Sequence, residues 1–325
     1  MSAVPSQSMS GQSAQHTQSL TRAQVLAKTL LVKPGVSALL AHAAPAVNPD
    51  AVFAGTAYLS DSGTNEVYKI SAKGKIKPVG SGWSEPQGIG VDPVKGDVYV
   101  ADTANSRIVE LSKTGKPVSV LNDPGQYPAG ASVTPDGTVG VTNIISTSGG
   151  AGSVSVYAAG ATSPSCTTSG LFSEAYFLAA DSQDNFYADG FDSSSGAIIL
   201  AEISKTCAIT PLQITQSIEF PGGVQIIDSG KGKKALEELL WGDQSGLAIY
   251  AFNLASLAPL FTVSLGGGSD EVEFALTKNQ KIVGSGDAGT AALEIWPWPA
   301  GGQPIDIVTG FSLPIGIGFT PSGDE

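Results

Sequence analysis

An acid or amide recurs along the chain at a nearly constant spacing, each time closing a short apolar run: Asp61, Asp102, Asn143, Asp189, Asp243 and Asp287. The steps between them are 41, 41, 46, 54 and 44 residues. One four-stranded blade of a β-propeller takes up roughly 40 to 50 residues. The clearest unit runs from Pro86-Gln-Gly-Ile-Gly-Val through Asp97-Val-Tyr-Val-Ala-Asp102 to Asn105-Ser-Arg-Ile-Val-Glu-Leu111. It reads as an apolar strand, a Gly turn, a second strand ending in Asp, a loop and an alternating third strand. A fourth strand is expected around 116–121, after a Lys-Thr-Gly turn. The longest step holds the insertion Lys231-Gly-Lys-Lys234, read as an enlarged hairpin.

A second landmark marks the start of each first strand. It reads Pro86-Gln-Gly88, Pro128-Ala-Gly130, Ala175-Tyr-Phe177, Pro221-Gly-Gly223, Glu271-Val-Glu273 and Pro314-Ile-Gly316. The last of these opens a strand that ends with the sequence, whereas Thr56-Ala-Tyr-Leu-Ser-Asp61 matches a second strand with no first strand before it. The C-terminal strand should therefore complete the blade opened near residue 56, which closes the ring and leaves no long exposed edge. The expected fold is all-β, a six-bladed propeller of four-stranded antiparallel blades over residues 51–325. Residues 1–20 are low-complexity and expected to be disordered. Residues 21–50 are expected to form a helical extension, with Thr21 and Gln24 as a capping pair and Lys33-Pro34 ending or kinking the helix.

Pro86-x-Gly together with Val98-Tyr-Val-Ala-Asp-x-x-Asn-x-Arg-Ile108 resembles the NHL repeat, and Asp61 with Asn65 echoes it. The resemblance is close in one blade and topological in the others. It implies a binding or scaffolding module, and the leading expectation is a non-enzymatic one that holds a small molecule, cation or peptide at its channel mouth. Related six-bladed propellers also include gluconolactonase-like hydrolases and lyases, so the alternative is a metal-dependent lactonase-like hydrolase or lyase acting at the same channel mouth. Those hydrolases hold a divalent metal with acids and amides at the strand starts. The matching positions here are Gln87, Ala129, Tyr176, Gly222, Val272 and Ile315, of which only Gln87 offers a suitable oxygen. The lyases rely on histidine. The two histidines here, His16 and His42, both precede the first repeat, so no imidazole base, imidazole metal ligand or Ser/His/Asp triad can be drawn from the repeats.

The residue before each strand-start triplet reads Glu85, Tyr127, Glu174, Phe220, Asp270 and Leu313. Acids thus fall in alternate blades, two, four and six. With Gln87, Tyr176 and Glu271 they define the candidate site, an acidic, aromatic-lined mouth for a cation or cationic ligand. Trp83, Phe177 and Glu273 lie beside it. Glu85, Glu174 and Asp270 are the candidate metal ligands, with calcium the suggested cation. The six recurring Asp and Asn residues have a simpler role, capping the turn that every blade requires.

The balance of 17 basic and 29 acidic residues gives a net charge of -12, which makes nucleic acid and anionic membranes poor partners. No apolar run is long enough to span a bilayer. The first twenty residues lack the basic start and apolar run of a secretory leader. Even so, low Lys with abundant Ser, Thr and Gly suggests an exported, extracellular or periplasmic protein. Cys166 and Cys207 fall near the fourth strands of neighbouring blades. Outer strands diverge, so they are expected to remain separate thiols. Trp296-Pro-Trp298-Pro is expected to pack on a blade edge, with a docking patch as its alternative.

Overall fold

The computed structural model describes residues 55–229 and 236–320. The tail and helical extension expected over 1–50 lie outside these residues, as does the Lys231–Lys234 insertion. Twenty-four strands form six four-stranded antiparallel sheets. Blade one holds β1 (Thr56–Asp61), β2 (Glu66–Ser71), β3 (Ile76–Pro78) and, innermost, the last strand β24 (Pro314–Thr320). Blade two holds β4 (Pro86–Val91), β5 (Val98–Asp102), β6 (Arg107–Leu111) and β7 (Pro117–Asn122). Blade three holds β8 (Gln126–Val133), β9 (Val139–Ser146), β10 (Ser153–Tyr157) and β11 (Cys166–Thr167). Blade four holds β12 (Phe172–Ala180), β13 (Phe186–Asp192), β14 (Ile198–Ile203) and β15 (Ile209–Pro211). Blade five holds β16 (Pro221–Ser229), β17 (Leu236–Asp243), β18 (Ala248–Asn253) and β19 (Pro259–Ser264). Blade six holds β20 (Glu271–Leu276), β21 (Ile282–Asp287), β22 (Ala292–Pro297) and β23 (Asp306–Thr309).

The innermost strands β24, β4, β8, β12, β16 and β20 each pack against the innermost strands of both neighbours, forming the ring. Close approach is the reason for the strand-start glycines. A Cβ at Gly316 would lie 2.4 Å from the Gln87 carbonyl oxygen, and one at Gly88 would lie 2.6 Å from the Ala129 carbonyl oxygen. Second-strand hydroxyls tie adjacent blades together. Ser60 donates to the Gln87 carbonyl at 2.5 Å, Thr142 to the Tyr176 carbonyl at 2.5 Å, and Thr103, just after β5, to the Pro128 carbonyl at 2.7 Å. Closure follows the expected route: β24 pairs antiparallel with β1, and Ile315, Ile317 and Phe319 are buried.

The Asp-x-x-Asn-x-Arg signature of blade two is a clip. Asp102 accepts hydrogen bonds from Ser84 N–H, Asn105 Nδ2 and Arg107 Nε at 2.7, 2.9 and 2.6 Å. Asn105 and Arg107 both also donate to the Gly82 carbonyl. The clip fastens the β5–β6 turn to the loop that leads into β4. Asp61, Asp243 and Asp287 likewise accept backbone N–H groups from both their own turn and the loop entering the blade. Asn143 instead donates to the Ser153 and Ser155 hydroxyls, because β9 runs on to Ser146.

Asp189 departs from the expected turn position. β13 continues three residues further, and Asp192 holds the turn through the Ser194 N–H and the Ser194 and Ser195 hydroxyls. Asp189 pairs with Leu200 inside the sheet and points between blades, accepting from Phe177 N–H at 2.8 Å and Trp241 Nε1 at 3.1 Å. The three-residue offset from Asp192, being odd, puts the Asp189 side chain on the other face of the strand.

The cysteines also depart from expectation: Cys166 and Cys207 are bridged, with their Cα atoms 6.1 Å apart. Cys166 lies on β11, but Cys207 lies in the β14–β15 turn at φ 60°, not on the diverging outer strand. The same turn carries Lys205, whose ammonium reaches Asp136 of blade three at 2.6 Å and Asp184 at 2.7 Å. Trp296 is fully buried and donates to the Gly266 carbonyl, while Trp298 packs edge-on to Phe261.

Candidate functional site

The channel end formed by the strand starts is filled. Tyr127, Tyr176, Val272, Leu313 and Ile315, from four blades, belong to one continuous buried apolar cluster. Trp83 is buried as well, its Nε1 donating to the Val79 carbonyl. Tyr176 stacks edge-on with Phe191 and Phe220, and its hydroxyl donates to Glu174 Oε2 at 2.6 Å. Burial first, and then the negative charge of Glu174, pushes that hydroxyl far above its ordinary value. Gln87 is fully buried in β4. Glu85 is half-buried at φ 50°, with its N–H donating to Asn65 Oδ1 at 2.7 Å. Asp270 is buried and accepts from Gln244 Nε2 at 3.0 Å. Glu85, Glu174 and Asp270 do not bring one ligand oxygen each within 4.8 Å of one another. The three-acid group found among the described residues is a different one.

That group is Glu271, Asp287 and Glu294, with one oxygen from each within 4.8 Å of the others. Glu271 starts β20, opposite Asp287 at the end of β21; Glu294 lies on β22 opposite Ser285. Asp287 is fully hydrogen-bonded. Neither oxygen of Glu271 has a hydrogen bond, nor does Oε2 of Glu294. At an effective dielectric of ~20, unit charges at this range repel by roughly 3 kcal/mol per pair. Burial, with the charges of Asp287, Glu294 and Asp270 added, raises the Glu271 carboxyl well above its ordinary value. Ser285 works the other way, but its proton is committed to the Glu273 carbonyl at 2.8 Å. Burial and Asp287 push Glu294 up to about 7.

The other end of the channel is open. A cavity of about 480 Å³ lies on the face of the first-to-second-strand turns, walled by Ile89, Ala131, Leu178, Val224, Ala275 and Ile317, one from each blade. Asp92, Asp181, Asp228 and Glu237 stand at its rim. Glu273 also lines it, and Oε2 accepts two bonds, from Ile89 N–H at 2.9 Å and Ile317 N–H at 3.0 Å. A carboxylate from blade six thus spans the inner strands of blades one and two. Burial pushes it up to about 8, against the pull of those two N–H groups. No basic side chain among the described residues pairs with it.

Glu273 had a sequence signal. It fills the third position of the strand-start triplet, where four other blades carry Gly88, Gly130, Gly223 and Gly316. Missing side chains on the ring leave room near the axis for the one acid placed there. The glutamate oxygen lies 2.9 Å from where a Cβ on Gly316 would sit.

Residues 84–111 match the NHL repeat family. A search of curated proteins finds no match. Among solved structures, a chain from a crystal structure of a nidogen/laminin complex is similar at TM-score 0.62 and 15% identity, over 83% of this chain and 99% of that one. A protein of unknown function from Bacteroides caccae gives 0.59 and 13%, over 82% and 98%. A streptogramin B lyase gives 0.51 and 12%, over 86% of each chain. At these identities the likeness is one of fold.

Proposed function

We propose that this propeller is a non-enzymatic, exported binding module whose open channel end takes a small organic cation with an apolar body. The observation that carries the reading is Glu273, a carboxyl held by two backbone N–H groups beside the apolar inner-strand wall of the cavity and lacking a basic partner. The cavity volume falls within the 300–1,000 Å³ usual for small-molecule sites. With Oε2 occupied by the backbone, Oε1 is the oxygen left to meet a ligand's ammonium group. The four rim acids outnumber Lys278, the one lysine in the lining, and with the net charge of -12 they favour a cation on approach. The Cys166–Cys207 bridge supports export, since disulfides persist in oxidising compartments. Among the described residues, no helix is long and apolar enough to cross a membrane. That Glu85, Glu174 and Asp270 do not group within 4.8 Å of one another favours this reading over a metal-dependent hydrolase at the strand-start face.

The test is a thermal-shift series with straight-chain primary amines and the matching alcohols. Amines should raise the melting temperature more than alcohols of equal length, and Glu273→Gln should abolish the difference. Equal responses to amine and alcohol, or an undiminished amine effect in Glu273→Gln, would refute the reading.

A further inference from the structure

We infer that Glu271, Asp287 and Glu294 form a binding site for a hard divalent cation, calcium by its all-oxygen donors, between blades five and six and separate from the channel cavity. The site is set into the face of blade six that packs on blade five. The same face carries Trp296, two residues along β22 from Glu294, and Trp296 shares a buried cluster with Leu240, Ile249 and Val263 of blade five. The loop 265–270 covers it. A Cβ at Gly268 would lie 2.1 Å from Glu271 Oε1, so the loop backbone passes directly over that carboxylate.

Three acids side by side do not make a site. What points to a ligand is the state of Glu271. Its side chain is 95% buried, since only 5% of the residue is exposed, and neither carboxylate oxygen has a hydrogen bond in the protein. Glu294, 2% exposed, leaves Oε2 in the same condition. A buried carboxylate left unsatisfied is costly, and proteins meet that cost by pairing such charges or by giving them a metal. The nearest donor, the Ser285 hydroxyl, is already bonded to the Glu273 carbonyl. No lysine or arginine among the described residues pairs with any of the three acids.

Donor type and coordination flexibility select the ion. The three carboxylates are hard oxygen donors on separate strands, and calcium accepts such oxygens in flexible geometry, whereas magnesium demands a near-ideal octahedron. The donors on hand are all oxygens, which does not suit zinc or copper. Asp287 would bring its ligand oxygen already oriented, because its carboxylate is fixed by five N–H and O–H donors of the surrounding turn and loop.

The experiment uses the full chain, stripped with chelator and then titrated with calcium and, separately, with terbium. One calcium per chain should bind and raise the melting temperature by several degrees. Terbium should light up on excitation of tryptophan, since Trp296 adjoins the site, and calcium should quench that emission competitively. Glu271→Gln and Glu294→Gln should each weaken calcium binding at least tenfold, while Glu273→Gln leaves it unchanged and so keeps this inference separate from the cavity reading. If the site variants fail to fold, the anomalous signal of terbium in wild-type crystals decides, with a peak expected among the three carboxylates. A melting curve indifferent to calcium, calcium binding that survives both substitutions, or a terbium peak elsewhere would overturn the site.

Discussion

The Asp61 carboxylate accepts the backbone N–H of Leu313 at 2.8 Å, across 252 positions of sequence. Its other oxygen takes Ser312 N–H, and Gly63 N–H and Thr64 N–H complete the set. One side chain therefore fastens the first complete turn of the propeller to the loop that brings in its last strand. Asp61→Ala should lower stability by about 3 kcal/mol or more, because buried donors lose a charged acceptor. Deletion from Pro314 onward should be worse. Ile315, Ile317 and Phe319 contribute on the order of 5–9 kcal/mol by burial, comparable to a domain's net stability of roughly 5–15 kcal/mol. Denaturant melts of both variants check this; a truncated chain with an unchanged midpoint would contradict ring closure by β24.

The Cys166–Cys207 bridge joins blades three and four across a separation of 41 residues. In the chain-entropy picture a loop of this size contributes about 4 kcal/mol. Cys166→Ser or Cys207→Ser should lower the melting temperature, and reductant should do the same to the wild type alone. Thiol titration under denaturing, non-reducing conditions should find no reactive thiol.

Asp189 gives the protein a pH dependence of known sign. Burial pushes its carboxyl from 3.8 up to about 8 in the fold, opposed by the Phe177 and Trp241 donors. Between those values the folded state holds a proton that the unfolded chain has released. Stability from this group therefore falls as pH rises through the window and levels off above about 8. Asp189→Asn should flatten the stability curve between pH 5 and 8 relative to wild type. Parallel curves for the two proteins would contradict the assignment.

Ring order and closure were legible in the sequence because they rest on repeated backbone requirements. Pro-x-Gly marks where inner strands crowd one another, and Pro314-Ile-Gly316 carries that mark at the far end of the chain. Side-chain direction is less forgiving. Asp189 lies three residues before the turn acid Asp192, and an odd offset along a strand puts a side chain on the opposite face. Cys207 could not be placed because a left-handed turn residue, φ 60°, swings it toward the neighbouring blade. The candidate mouth looks different for a related reason. Tyr127 and Leu313 share the acids' repeat position, Tyr176 sits two residues after Glu174, and all three belong to the buried apolar cluster at that end of the channel. Glu273 was visible beside Asp270 as one more negative charge. Its span across the axis depends on the space left by glycines in other blades, which becomes apparent once the ring is closed.

The occupant of the channel can be located directly. Crystals soaked with a bromoalkyl ammonium ion report both ends of the ligand, the bromine through its anomalous scattering and the nitrogen through its density. The expected result is the ammonium within hydrogen-bond distance of Glu273 Oε1 and the bromine toward the rim formed by Asp92, Asp181, Asp228 and Glu237. A ligand bound instead beside Glu85 and Glu174, or an undisturbed cavity under saturating ligand, would contradict binding at the open channel end.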